Sequence, residues 1–126
     1  DQIAQLRRLT REMAERTAAG DPHGHALKNT EFHAVVARAS GNRTLERVLA
    51  ILQPFAQTYL TVTVVSMGLP DSYLRRHDLI LEALVAGDPD RVDQAMRAHN
   101  EANLAIVEKA RATEAHSPDI APAPTA

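Results

Sequence analysis

The stretch HDLILEALVAGDPDRVDQAMRAH, residues 77–99, decides the fold. Ahead of its centre, Tyr73, His77, Ile80, Leu81 and Leu84 recur at helical spacing and form one stripe. Gly87 suits the left-handed turn that ends a helix, Asp88 caps the next one, and Pro89 fits a first turn whose N–H has no partner anyway. A following helix carries Val92, Met96, His99, Asn103, Ile106 and Ala110 on one face, to about Ala112. The segment therefore predicts two helices folded back on each other.

The same stop, cap and start recurs as Gly20-Asp21-Pro22. It separates a first helix, with Ile3, Leu6, Leu9 and Met13 at helical spacing up to Ala19, from a second that carries Leu27, Phe32, Val35, Val36 and Ala39 and stops at Gly41. Asn42 caps a third helix through Leu45, Val48, Leu49 and Leu52, with a kink expected at Pro54. Tyr59 to Val65 is rich in β-branched residues, but a strand there would have no partner, so helix is expected. Gly68, Pro70 and Asp71 mark the next connection, and a fourth helix is predicted from about Ser72 to Ala86. The whole reads as an all-α antiparallel bundle of about five helices over residues 1–113. Residues 114–126, with Pro118, Pro122 and Pro124, are too poor in core-forming side chains to fold and are expected to be a disordered tail.

Composition narrows the function. The 126 residues are 44% hydrophobic, 24% charged and only 3% aromatic, so one domain with an aliphatic core is expected. The formal charge of −2 argues against a surface that grips nucleic acid through its phosphates. Arg7, Arg8 and Arg11 cluster, but Asp1, Glu12 and Glu15 lie close by and make that face mixed. With no cysteine, disulfides and thiolate metal sites are excluded. No apolar run approaches a membrane span and no signal peptide is present, so a cytoplasmic protein is expected.

Six histidines divide by position. His23, His25 and His116 fall near helix ends or in the tail, where solvent is expected, whereas His33, His77 and His99 lie mid-helix on inward stripes. His77 precedes the cap Asp88 by 11 residues and His99 follows it by 11. In an antiparallel hairpin the two stand at one height, roughly 16 Å from the turn. His33 precedes Gly41 by 8 residues, an offset of roughly 4.5 Å that ordinary helix staggering absorbs. A single inward histidine is more often a hydrogen-bonded core residue than a ligand. Three at matching heights, with Asn29 one turn before His33, would be costly uncompensated, and a metal ion is the simplest compensation. Three neutral imidazoles suit Zn²⁺ or Ni²⁺ with positions left open for a ligand.

Asn29-Thr-Glu-Phe-His33 followed by Ala39-Ser-Gly-Asn42 resembles the D-x-x-F-H…a-S-G-N signature of the FadR C-terminal (FCD) domain, the effector-binding half of FadR-type regulators in the GntR family. The run from His77 to Asp88 resembles that family's H-x-x-I-x-x-A-L-x-x-G-D, and Met96-Arg-Ala-His99 its closing M-x-x-H. The resemblance runs from Asp1 to about Ala112. It implies a helical bundle whose central cavity holds a divalent metal on three histidines and one acid, with small organic acids bound against the metal. By position the histidines are His33, His77 and His99, and the acid falls on Asn29, a departure that replaces a charged ligand with a neutral one. Asn103 and Tyr73, on the inward stripes one turn from His99 and His77, are the expected effector contacts.

The resemblance further implies a transcription regulator whose effector changes bundle packing or dimer geometry, with a homodimer expected. DNA would be met only through a winged helix-turn-helix domain that this sequence lacks. A further helix, usual ahead of the first one here, is also missing, so exposed apolar surface is expected. Two rivals stand beside this reading. A di-iron bundle enzyme needs Glu-x-x-His pairs, and Glu31, Glu82 and Glu101 do not lie at that spacing. A mononuclear hydrolase needs a general base at the metal, and Glu31 points elsewhere. No enzyme is expected. The other rival is a metal-free dimerisation module.

Overall fold

A computed structural model describes residues 1–67 and 71–115. Within them the chain forms α1 (Gln2–Ala18), α2 (Pro22–Ala39), α3 (Arg43–Met67), α4 (Asp71–Ala86) and α5 (Pro89–Ala115), and no strand among the described residues. The β-branched run after Tyr59 is helical as expected, and Pro54 lies inside α3 without ending it. Helix α5 reaches Ala115, slightly beyond the expected Ala112. The rest of the expected disordered tail, residues 116–126, lies outside the described residues.

The punctuation has the geometry its residues suggest. Gly20, Gly41 and Gly87 sit at φ 66°, 68° and 66°, the left-handed region in which a side chain is strained. The caps follow directly. Asp21 accepts from the Gly24 amide at 2.8 Å, Asn42 from Leu45 at 3.0 Å and Asp88 from Arg91 at 3.0 Å. Each turn thus satisfies some of the backbone groups that its two helix ends leave open.

Leu6, Leu9 and Met13 of α1, Phe32 and Val35 of α2, and Ile80 and Leu81 of α4 form the buried core, with Ala95 and Met96 of α5 at its margin. Helix α3 stands apart from that core. It packs on α2 and α5, and Gln53 Nε2 donates to the Thr30 carbonyl at 3.1 Å, yet Ile51 is 68% and Phe55 74% exposed. The result is a close-packed half (α1, α2, α4) and a looser half in which α2, α3 and α5 leave a cavity of about 790 Å³ between them. No helix among the described residues is long and apolar enough to cross a membrane.

Candidate metal and effector site

Where the core meets the cavity, three helices each deliver one imidazole. His33 comes from α2, His77 from α4 and His99 from α5, and one ligand atom from each lies within 4.8 Å of the others. Ring centroids are 4.7 Å apart for His77 and His99, 5.0 Å for His33 and His99, and 5.6 Å for His33 and His77. Phe32 supports the group from below, its ring edge-on to His33 at 5.5 Å and to His77 at 5.2 Å. His77 and His99 are 1% exposed, while His33 is half-buried because its ring forms part of the cavity wall.

Two amides complete the cluster. His77 Nε2 donates to Asn29 Oδ1 at 2.7 Å, and Asn103 Nδ2 donates to His99 Nε2 at 3.1 Å. Asn29 and Asn103 both line the cavity together with His33 and His99. Tyr73 does not line it. Its ring stands behind the imidazoles, 5.5 Å from His77 and 5.9 Å from His99, and burial pushes its hydroxyl up in pKa. Glu31 is exposed and paired with Lys28 at 3.1 Å, away from this group.

His23 is exposed as expected, and His116 lies outside the described residues. His25 is a correction. Placed near solvent by its position at the start of α2, it is fully buried. Its Nδ1–H donates to Thr17 Oγ1 at 3.0 Å and toward the Met13 carbonyl at 3.3 Å, and its ring lies 5.7 Å from Tyr73. Helix α1 covers the first turn of α2, so nearness to a helix end did not mean nearness to water. The signal was its spacing, since His25, Asn29 and His33 recur every four residues on one face.

The chemistry of this donor set fits a borderline divalent ion. Burial, with the charge of His99 second, holds His33 down to about 3. Burial and the Arg76 charge hold His99 at about 4. Burial and the neighbouring histidines push His77 well below the ordinary range. All three rings are therefore neutral at physiological pH, the form that ligates. His77 Nδ1, His99 Nδ1 and Asn103 Oδ1 are also buried without a hydrogen-bond partner, polar capacity that an apolar core would not retain at no cost.

A pH dependence follows from these depressions. In the unfolded chain each ring titrates near 6.5, so below that pH the unfolded state binds protons that the folded state refuses. Stability contributed by keeping the rings neutral is full above pH 6.5 and falls as pH drops toward the folded values of His99 and His33. Each histidine adds a slope of up to about 1.4 kcal/mol per pH unit. Thermal melts of chelator-treated protein should be flat between about pH 7 and 8 and decline steadily below about pH 6.5. A melting temperature that holds unchanged to about pH 5 would show that the imidazoles are hydrated and free to protonate.

Comparison with known proteins places these features in context. The FCD domain family model matches residues 1–102. A probable D-xylose utilization operon transcriptional repressor from Paenarthrobacter nicotinovorans is 34% identical over 92 residues, which is 73% of this chain and 40% of that protein. The chain thus spans about 40% of the length of the curated relative it matches. No solved structure matches.

Proposed function

The chain belongs to the FCD domain family, and from that premise we propose that residues 1–113 are the effector-binding domain of a transcription regulator, holding a divalent metal and a small organic acid. DNA would be read by a separate winged-helix domain, and a homodimer in the cytoplasm is the working assembly. The observation that carries this reading is the convergence of three neutral imidazoles, two of which, His33 and His99, line a cavity. The family and the relative speak for regulation rather than catalysis.

His33, His77 and His99 would hold the metal, Zn²⁺ or Ni²⁺ by the softness of nitrogen donors. Asn29, whose amide oxygen already meets His77, is the neutral fourth donor. Such an ion supplies positive charge and open coordination positions. Because Asn29 brings no negative charge, a carboxylate from the effector takes over the neutralising role that an aspartate would have played. Asn103 lies at the cavity end of the cluster and offers the effector an amide, while Tyr73 braces His77 and His99 from behind. Effector binding between α2 and α5 would shift how α3 sits on them, the packing change that a partner domain senses.

The test is a titration of zinc-loaded protein with organic acids and their neutral amides. Acids should bind and amides should not; equal affinity for both would sink the proposal. The variant Asn29→Asp should bind zinc about fivefold more tightly, since contacts to a charged group are worth roughly 1 kcal/mol more than neutral ones. It should also bind the acids less well than the parent chain does, because it supplies the charge itself.

A further inference from the structure

The cavity wall is mainly apolar, with one cluster of polar groups at the histidines. Asn29, His33, His99 and Asn103 form that cluster, and Val36 of α2, Met96 and Ile106 of α5, and Leu49 and Leu52 of α3 form much of the rest. No described residue that lines it carries a charge. Besides that cluster, Gln57, Tyr59 and Asn100 also line the wall, and three further polar side chains there donate to backbone carbonyls of the protein itself. Thr30 Oγ1 donates to the Ala26 carbonyl at 3.0 Å, Ser40 Oγ to Ala37 at 2.6 Å, and Gln53 Nε2 to Thr30 at 3.1 Å. The α3 side is also unusually open to water for so apolar a surface, with Leu52 53% and Phe55 74% exposed.

Resting on the metal-and-acid reading above, we infer that the effector is an amphipathic monocarboxylic acid, its carboxylate at the histidine end and an aliphatic tail along the inner face of α3. The volume suits a molecule larger than acetate, and falls in the range of ordinary ligand pockets. A second carboxylate would lie against Leu49, Leu52 or Ile106 with no guanidinium or ammonium on the wall to meet it, an uncompensated desolvation. A polyhydroxylated acid would surrender hydrogen bonds to water for a wall that is mainly apolar and on which three of the polar side chains already donate to backbone carbonyls. An alkyl tail loses nothing and removes the exposed side chains of α3 from water.

The experiment is calorimetric titration of the zinc-loaded chain with acetate, butanoate, hexanoate and octanoate, beside octan-1-ol, succinate and gluconate. Affinity should rise along the monocarboxylates by up to about fourfold per buried methylene. Octanol, succinate and gluconate should all bind more weakly than octanoate. Leu52→Glu should bring octanoate back to the affinity of acetate, with zinc content unchanged. If acetate and octanoate bind equally, or succinate or gluconate matches octanoate, the inference fails while the metal-and-acid reading stands. If no acid binds the zinc-loaded chain, octanol matches octanoate, or octanoate binds equally well after zinc is stripped, that reading falls and this inference with it.

Discussion

Replacing His77 or His99 by alanine is expected to empty the protein of metal, from about one ion per chain to background by elemental analysis. Each substitution removes one of three nitrogen donors from a set that has no carboxylate to fall back on. The loss should exceed the roughly 10–100-fold that follows removal of a mere supporting partner of a ligand. His77→Ala also strips Asn29 Oδ1 of its hydrogen-bond donor and Phe32 of an edge-on ring. His23→Ala, at an exposed position on the same helix as His33, should keep its metal and serves as the control. Metal retained at parental levels in both buried variants would remove the site. Loss in one alone would mean that the other imidazole is a core residue held by its amide neighbour.

The largest effect on stability is expected at Phe32. Its side chain is fully buried at the junction of α1, α2 and α4, and its ring edge-on contacts orient His33 and His77. Phe32→Ala removes a large buried aromatic from a mainly aliphatic core and should cost roughly 3–5 kcal/mol. For a domain of this size the melting midpoint should fall by on the order of 10–20 °C. Phe32→Leu, which keeps most of the volume, should cost a fraction of that. Because the phenyl ring positions two imidazoles, Phe32→Ala should also bind zinc more weakly at temperatures where it remains folded. A cost below about 1 kcal/mol would show that neighbouring helices close over the space, and that the core does not set the ring geometry.

Much of this arrangement is legible in the residues because the signals are local. Gly-Asp-Pro ends one helix and starts another through a left-handed glycine, a side-chain cap and a proline in the first turn, all within three residues. A hairpin with a fixed turn then sets heights by counting, and residues 11 before and 11 after Asp88 meet with ring centroids 4.7 Å apart. His33 needed a stagger between two different hairpins, and its ring still arrives within 5.6 Å of both partners. The FCD signatures lie on these same segments, which is why family membership was readable from a few short runs.

The helices, their order, the inward faces of α2, α4 and α5 and the convergence of three histidines were thus determined by the sequence alone. Periodicity states which face of a helix is apolar, and a cap states where the helix begins. Neither states which neighbour covers that face. The burial of His25 under α1, the pairing of Asn29 with His77 and the withdrawal of Tyr73 behind the imidazoles were decided only in the tertiary structure. So was the position of α3, whose apolar pattern reads like that of any core helix but whose side chains border a cavity and solvent instead. The reason is that burial belongs to pairs of surfaces: a stripe of leucines has the same sequence whether another helix, a ligand or water lies against it.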